Sequence, residues 1–451
     1  MTTRLDTGAG RRATCAAGWV LVASLVLSAC AEEEVILPGK REDIRSVVSE
    51  DNVPAQPAAQ NTSRPISLPA QTQNAEWSQS PGTPAFRTAH PALRSAPALA
   101  WRTNIGAGDG RRVRITASPV VGAGRIFTLD AGTQVTAVAQ TGEVVWRADL
   151  ASTRAGSNET TGGGLAFADG RLFVSLGVGE LVALNAVNGD ELWRQELAAT
   201  ASGSPAVVDG LVYLVAGDET GWAVLADSGR VAWQLIAPPD SNNVLGAPAP
   251  AISSDIAIFA FGSGELQAVF RRGGLRRWDA SVVGERPGAA LAKVSDVTGA
   301  PVIAGSRVYA GNQSGRTVAL DLGSGSRIWT ARDGAIGPIV PAGDSVFFLT
   351  EEAQLVRVDA SDGSRVWAAD LPRFVRDRPR RRTEVFAHHG PVLAGGRLYV
   401  ASNDGLMRVY DPVSGALTTN IDIPGGATSD PVVAGGTLYV VSTKGELLAF
   451  R

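Results

Sequence analysis

A glycine followed four residues later by a tryptophan recurs along most of this chain. The pairs are Gly142 and Trp146, Gly189 and Trp193, Gly229 and Trp233, Gly274 and Trp278, Gly325 and Trp329, and Gly363 and Trp367. A further copy keeps Gly415 but has Thr419 at the tryptophan position. An alternating stretch such as "LVALNA" precedes most of these glycines, and glycine supplies the positive φ that a tight turn between two strands requires. Each copy therefore predicts a β-hairpin.

A second hairpin lies upstream of most of these copies, as in "SPAVVDGLVYLV" and "DPVVAGGTLYVV". Proline stands at the first residue of the strand, where its missing N–H removes no ladder hydrogen bond. Two hairpins make a four-stranded antiparallel unit, and a repeat of about 40 to 50 residues with four strands is typical of a propeller blade. Complete units occupy 117–150, 163–197, 203–237, 247–282, 299–333, 337–371 and 389–423.

The two ends of the repeat region complete one another. Residues 429–451 contain three strands, whereas 97–106 form an orphan fourth strand that carries Trp101. Joining them gives an eighth blade and removes the exposed sheet edges of an open array. We therefore predict an all-β fold, an eight-bladed β-propeller of four-stranded antiparallel blades over 97–451, closed by the N-terminal strand joining the C-terminal blade.

The repeated tryptophans are predicted to pack between neighbouring blades, where each ring buries roughly 150–250 Å². They are Trp101, Trp146, Trp193, Trp233, Trp278, Trp329 and Trp367. A ladder of rings that stacks on a ligand is the alternative. Packing is favoured because one ring per blade at a fixed position is what a blade interface needs.

The N-terminal stretch "LVLSACAEEEVILPGK" ends an apolar run at Cys30, and the only other cysteine is Cys15 in the same segment. Arginines, then an apolar stretch over 16–27, then small residues give the layout of a secretory signal. The run is shorter than the roughly 20 apolar residues of a membrane span. Residues 27–30 resemble the lipobox of bacterial lipoproteins, which implies cleavage before Cys30 and lipidation of its thiol. An ordinary cleaved signal or an uncleaved anchor stays open.

Three regions follow from this pattern: a lipoprotein signal peptide over 1–29, a lipidated and mostly flexible tether over 30–96, and the propeller. The tether is rich in Pro, Gln, Ser, Thr and Ala, so it buries too little apolar surface to offset chain entropy. One short docked element is expected around 36–45. Ala31 is not the aspartate associated with inner-membrane retention, so lipoprotein sorting implies the outer membrane, facing the periplasm.

The sequences "LVALNAVNGDELW" and "LVRVDASDGSRVW" resemble the pyrroloquinoline-quinone repeat, which quinoprotein dehydrogenases share with the BamB lipoproteins of the outer-membrane β-barrel assembly machinery. A dehydrogenase of this kind implies a quinone on the propeller axis, a calcium ion and an aspartate base. Here the propeller region contains no cysteine and its carboxylates lie mostly in turns, where Asp satisfies local backbone donors. We therefore predict no catalytic residue, no metal and no cofactor, with a periplasmic quinoprotein (PQQ-dependent) dehydrogenase or ligand-binding propeller as the alternative.

Two loops resemble the BamB segments that contact the barrel subunit BamA. "AKVSDVTGAPVI" (292–303) places Lys293 and Asp296 at matching positions, although Thr298 replaces a second aspartate. "NNVLGAPAP" (242–250) places Val244 and Leu245 in the other contact loop, without its arginine. Both loops join consecutive blades, so they are expected side by side on one face, where an apolar centre and a polar rim suit a partner interface. Ordinary solvated loops are the alternative reading.

The resemblance implies a non-catalytic lipoprotein scaffold of the β-barrel assembly (BAM) complex. Its partners would be a BamA-like barrel subunit and the membrane through the lipid anchor, and unfolded outer-membrane proteins could pair with blade edges. A net charge of −3 argues against general nucleic-acid binding. The arginine run over 373–382 fits an acidic partner or anionic headgroups, or a solvated loop. His388 and His389 are adjacent, so on a strand they face opposite sides and are not expected to share a metal.

Overall fold

The fold is given by a computed structural model that describes residues 61–85, 90–151, 163–197, 199, 203–238, 248–282, 296–376 and 378–451. These residues form eight four-stranded antiparallel sheets arranged as the blades of a β-propeller. In each blade, strand 1 lies at one edge of the sheet and strand 4 at the other. The predicted all-β, eight-bladed propeller is confirmed.

Blades 1 to 4 follow the chain order of their strands. Blade 1 has β2 (Val120–Gly122), β3 (Arg125–Leu129), β4 (Gln134–Ala139) and β5 (Val144–Asp149). Blade 2 has β6 (Gly163–Ala168), β7 (Arg171–Leu176), β8 (Glu180–Asn185) and β9 (Glu191–Glu196). Blade 3 has β10 (Ala206–Val208), β11 (Leu211–Val215), β12 (Thr220–Leu225) and β13 (Val231–Ile236). Blade 4 has β14 (Ala251–Ile252), β15 (Ile256–Ala260), β16 (Glu265–Phe270) and β17 (Arg276–Ser281).

Blades 5 to 7 continue in the same way, and blade 8 combines both ends of the repeat region. Blade 5 has β18 (Gly299–Ala304), β19 (Arg307–Asn312), β20 (Arg316–Asp321) and β21 (Arg327–Ala331). Blade 6 has β22 (Val340–Ala342), β23 (Ser345–Leu349), β24 (Gln354–Asp359) and β25 (Arg365–Asp370). Blade 7 has β26 (His388–Ala394), β27 (Arg397–Ser402), β28 (Leu406–Tyr410) and β29 (Leu417–Asp422). Blade 8 has β30 (Val432–Ala434), β31 (Thr437–Val441), β32 (Glu446–Phe450) and β1 (Leu99–Asn104), and one 3₁₀ turn (Pro379–Arg381) precedes blade 7.

The ring closes through hydrogen bonds between β1 and β32. The two strands are antiparallel, with Trp101 opposite Ala449 and Asn104 opposite Glu446. Beyond the strand ends, Ala98 and Arg451 exchange backbone hydrogen bonds of 2.8 and 2.9 Å. The predicted closure is therefore correct, and it replaces a covalent turn with paired backbone.

Each repeated tryptophan contacts the next blade at the glycine of its turn between strands 3 and 4. The indole N–H donates to a backbone carbonyl there, as from Trp329 to Ala360 O at 3.0 Å and from Trp367 to Pro412 O at 3.2 Å. The same bond joins Trp101 to Gln140, Trp146 to Ala186, Trp193 to Ala226, Trp233 to Arg271, and Trp278 to Leu322. The ring also packs on aromatic or aliphatic neighbours of its own blade, as Trp367 does on Phe347 at 5.8 Å between centroids. These contacts place each of the seven rings between two neighbouring blades.

The propeller has two faces. The loop face carries the connections from strand 4 of one blade to strand 1 of the next, together with the turns between strands 2 and 3. The turn face carries the turns between strands 1 and 2 and between strands 3 and 4, because successive strands of an antiparallel meander reverse direction.

Residues 61–85 and 90–96, here called the strap, differ from the predicted flexible tether because they lie against the propeller. Near the turn face, Trp77 of the strap and Val121 of blade 1 donate to each other's backbone carbonyls, both at 2.8 Å. Carbonyl groups further along the strap accept from the backbone N–H groups of Phe167, Ile252 and Ile303. The strap is therefore also bound to blades 2, 4 and 5. The remaining predicted tether residues, including those around 36–45, and the signal region lie outside the described residues.

Arg357 fastens the beginning of the strap. Its guanidinium is fully buried and donates to the carbonyl oxygens of Arg64 and Pro65 in the strap and of Pro412 and Val413 in blade 7. Arginine presents five N–H donors in a planar fork. This one side chain of blade 6 can therefore bind carbonyl groups of the strap and of blade 7 together. Burial lowers the pKa of this guanidinium, with nearby Arg64 acting in the same direction.

Replacing Gly363 with alanine should destabilise the propeller more than the same change at Gly170. Both glycines have φ near +75° (75° and 73°), so each substitution carries about 1–2 kcal/mol of backbone strain. A Cβ at Gly363 would lie 2.6 Å from Trp329 Cε3, whereas at Gly170 nothing lies within 4 Å. Overpacking should add about 1–3 kcal/mol at Gly363, measured by urea denaturation. Equal losses at both positions would show that the tryptophan contact contributes nothing.

Replacing Arg357 with lysine should loosen the start of the strap. Lysine keeps the charge but has three donors on a single nitrogen, so several carbonyls lose their partner. Amide exchange of peptides covering 61–68 should rise about tenfold, measured by hydrogen–deuterium exchange. Arg397→Lys is the control, because Arg397 pairs with Asp411. The interpretation fails if both variants protect the strap as the parent does.

Candidate functional site

Asp296 is the one predicted partner-binding residue that the structure describes, since Val244, Leu245 and Lys293 lie outside the described residues. Its side chain is buried, with 6% of its surface exposed. Its backbone carbonyl accepts a hydrogen bond from the Gln313 N–H at 3.3 Å. Asp296 therefore lies at the base of its loop. The other three residues stay predictions.

The residues at which the two predicted contact loops begin, Ala237 and Val282, are held by hydrogen bonds to buried polar residues. Asn312 is fully buried and donates from Nδ2 to the Val282 carbonyl, 3.0 Å away, where the second loop leaves blade 4. At the first loop, the backbone carbonyl of Glu219 accepts from Ala237 N–H at 3.0 Å, and its carboxylate accepts from Gly262 N–H in the β15–β16 turn of blade 4 at 2.8 Å. Both loops are thus anchored on the loop face, one on each side of blade 4.

The arginine run belongs to a short hairpin over 373–386, which connects blades 6 and 7 on the same face. Phe374 and Val385 form an antiparallel bridge, and the Phe374 ring lies beneath the guanidinium groups of Arg373 at 5.4 Å and Arg382 at 4.9 Å. The arginines of this hairpin are exposed. Over its described residues, the run is therefore a cationic hairpin whose arginines are in solvent.

A cavity of about 670 Å³ lies on the propeller axis, and every blade contributes to its wall. Much of the wall is made of small residues at the start of strand 1, namely Ser118, Gly163, Gly203, Ser204, Ala249, Ala300 and Gly337. Ser80 and Pro81 of the strap also line it. The strap therefore bounds the cavity toward the turn face.

Blades 7 and 8 contribute polar side chains to the wall of this cavity, namely those of His389, Ser429 and Asp430. Burial raises the pKa of Asp430 to about 6, against the opposing effect of a 2.8 Å hydrogen bond from Gly390 N–H. Burial lowers the pKa of His389 to about 4, so its ring is neutral at pH 7. The hydroxyl of Ser429 is buried and has no hydrogen-bond partner among the described residues.

His388 lines the same cavity but its ring nitrogens are engaged. Nδ1 lies 2.6 Å from Ser402 Oγ and Nε2 lies 2.8 Å from the Pro372 carbonyl. In the described part of the chain, no group of three or more His, Cys, Asp or Glu side chains is placed to hold a metal ion. Nor does any described helix have the length and apolar character needed to cross a membrane.

A sequence model of one protein family, described as "Outer membrane protein assembly factor BamB", matches residues 131–369 and 376–451. The match covers blades 2 to 7 except Asp370, three strands of blade 8 and part of blade 1, and it includes the described bases of both predicted contact loops. The chain belongs to this family. The interruption at 370–375 coincides with the start of the arginine hairpin.

Individual relatives and solved structures agree with this assignment. BamB of Yersinia pestis is 24% identical over 250 residues, which is 54% of this chain and 63% of that protein. BamB of Bordetella pertussis is 30% identical over 129 residues, 29% of this chain and 33% of that protein. The chain thus aligns with less than two thirds of the length of these relatives.

Two solved structures share the fold. BamB from Moraxella catarrhalis superimposes with a TM-score of 0.64 at 17% identity, covering 79% of this chain and all of that one (100%). Quinohemoprotein alcohol dehydrogenase from Comamonas testosteroni gives 0.63 at 15% identity, covering 84% and 81% of the two chains. At such identities the likeness shows the eight-bladed architecture alone.

Sequence reasoning missed the axial residues, although the sequence contains a signal for them. The residue before the strand-1 proline is small in most blades, as in Ser118–Pro119, Ala300–Pro301 and Gly337–Pro338, whereas blade 8 has Asp430–Pro431. The small residues at this position line the cavity. A carboxylate there is an exception to the repeat, and exceptions to a structural repeat point to function.

Asp430→Asn should stabilise the protein above about pH 6. The folded pKa of Asp430 is raised to about 6 from about 3.9 in an unfolded chain, so its ionisation opposes folding. The cost is absent below the unfolded pKa and complete above the folded one. A gain on the order of 1–3 kcal/mol is expected at pH 7.5, measured by thermal denaturation from pH 4 to 8. Asp422→Asn, at an exposed position, should show no such gain.

Proposed function

We propose that this protein is a non-catalytic scaffold of the outer-membrane β-barrel assembly machinery, which docks through its loop face onto a BamA-like barrel subunit. The observation that carries the proposal is the anchoring of both contact loops on either side of blade 4. The described residues at which these loops begin, Ala237 and Val282, are held by Glu219 and Asn312, so each loop starts from a fixed backbone position. Membership of the BamB family supports the same role.

A rigid base suits a docking surface because less loop entropy is lost when the partner binds. Val244 and Leu245 supply the apolar centre, and Lys293 supplies a charged rim. Asp296 acts in a different way from a surface contact. It is buried at the loop base, so its proposed part in docking is to hold the end of the second loop.

The cationic hairpin over 373–386 lies on the same face as the contact loops. It widens the surface available to a partner with acidic patches, and charge complementarity raises the rate of association more than its final strength. Lipidation of Cys30 would hold the protein at the outer membrane, with the strap leading from the anchor to the propeller.

Leu245→Asp should abolish co-purification of the barrel subunit, because a carboxylate in the apolar centre of an interface is desolvated without a partner. The matched control is Leu275→Asp. Leu275 is 70% exposed and lies in the turn between β16 and β17 of blade 4, on the turn face. Tagged full-length protein is solubilised from membranes and the co-purifying subunit is quantified. A loss of at least tenfold is expected for Leu245→Asp alone.

Thermal denaturation of each variant confirms that it is folded before the comparison is made. Lys293→Glu tests the rim and should weaken retention of the barrel subunit less than Leu245→Asp does. Its effect should shrink as the salt concentration rises, because salt screens exposed charges. The proposal is wrong if the parent retains no barrel subunit. If the Leu245 and Leu275 variants lose the barrel subunit equally, the docking surface is not the loop face.

A further inference from the structure

Asp430 is a half-buried carboxylate without a counter-ion among the described residues. Among the described residues no cation lies within ion-pair distance of it, and its only recorded hydrogen bond comes from the Gly390 N–H. A buried charge is expensive unless it is paired. The position faces an open cavity rather than packed side chains, so a bound cation has room to supply the missing partner.

Two further acceptors flank this carboxylate. Ser429 precedes it in the chain, is 3% exposed, lines the cavity and has an unpartnered Oγ. His389 precedes Gly390, whose N–H binds the carboxylate, and its ring has no recorded hydrogen bond in the described structure. A neutral imidazole nitrogen and a hydroxyl oxygen both accept hydrogen bonds. The polar wall of the cavity is therefore an acceptor-rich site beside a negative charge.

The other charged groups that line the cavity do not neutralise this site. Asp109 is already engaged, because its carboxylate accepts from Ile115 N–H at 2.9 Å and from Thr428 Oγ1 at 2.9 Å. Arg114 lines the cavity from an exposed position. His388 is held by Ser402 and Pro372. Asp430 is thus the half-buried charge of the cavity wall that has no partner among the described residues.

We propose that the axial cavity binds a primary ammonium group, which donates to the Asp430 carboxylate, the Ser429 hydroxyl and the His389 ring. An ammonium group carries three N–H donors and no acceptor, which matches three acceptors and one negative charge. The small residues on the opposite wall leave space for an attached aliphatic chain. The group can come from a free polyamine or from the lysine side chain of a bound polypeptide.

Isothermal titration calorimetry on the purified full-length protein at pH 7.5 tests the site. The probes are spermidine, a short peptide with one central lysine, and tetramethylammonium, which has the charge but no N–H donor. Spermidine or the peptide should bind and tetramethylammonium should not. Binding of the peptide but not of spermidine assigns the site to a polypeptide, and the reverse assigns it to a free polyamine.

Asp430→Asn is the decisive variant, because asparagine keeps the shape and can still accept from Gly390 N–H. It should weaken amine binding about tenfold or more, whereas Asp422→Asn, at an exposed position on β29, should leave binding unchanged. Ser429→Ala should give an intermediate loss. The proposal is overturned if neither amine binds the parent, if Asp430→Asn binds as tightly as the parent, or if tetramethylammonium binds equally well.

Discussion

The contact of one indole ring with the glycine turn of the next blade is the interaction on which the ring depends. It joins aromatic burial with a directed hydrogen bond from the indole N–H to a backbone carbonyl, as Trp329 does at 3.0 Å. Either part alone would tolerate a rotation of one blade against the next. Together they fix both the spacing and the angle between blades. Because the contact repeats around the propeller, small errors cannot accumulate before the ring closes.

The blades could be predicted from the sequence because their determinants are local and repeated. A glycine with positive φ, an alternating strand and a tryptophan recur at fixed spacing, and each copy confirms the others. The strap could not be predicted in this way. Its main contacts are backbone hydrogen bonds, such as those between Trp77 and Val121, and backbone donors are present whatever the side chain. Composition therefore indicated a flexible tether where edge pairing holds the chain.

The two candidate sites also differ in whether the sequence repeat could predict them. The loop positions of Val244, Leu245 and Lys293 were inferred from a family resemblance, and they remain predictions because the described structure ends at the loop bases. The axial cavity could have been predicted from the repeat itself. Its space comes from small residues before the strand-1 prolines, and Asp430 departs from that pattern. Periodicity identifies packing positions, and the places where it fails identify candidate chemistry.

The tryptophan of the repeat is missing at the junction between blades 7 and 8, and the construction of blade 8 gives the reason. Blade 8 is closed by two separate strands, so it has no covalent turn between strands 3 and 4 for an indole to contact, and Thr419 stands at that position. The strap lies beside this junction. Gly435 of blade 8 donates to Asn74, and Gly395 of blade 7 donates to Pro91.

The two passes of the strap are joined to each other, since Thr72 N–H donates to His90 O and Ala92 N–H donates to Thr72 O, both at 2.8 Å. His90 adds a side-chain link, with Nδ1 2.7 Å from the Pro69 carbonyl and Nε2 accepting from Gly396 N–H. A polar clamp therefore bridges the one junction whose geometry leaves no turn for the indole. The blades on either side of this junction also carry Asp430 and His389. A site with an uncompensated charge thus lies where the ring is held by the strap instead of by tryptophan packing.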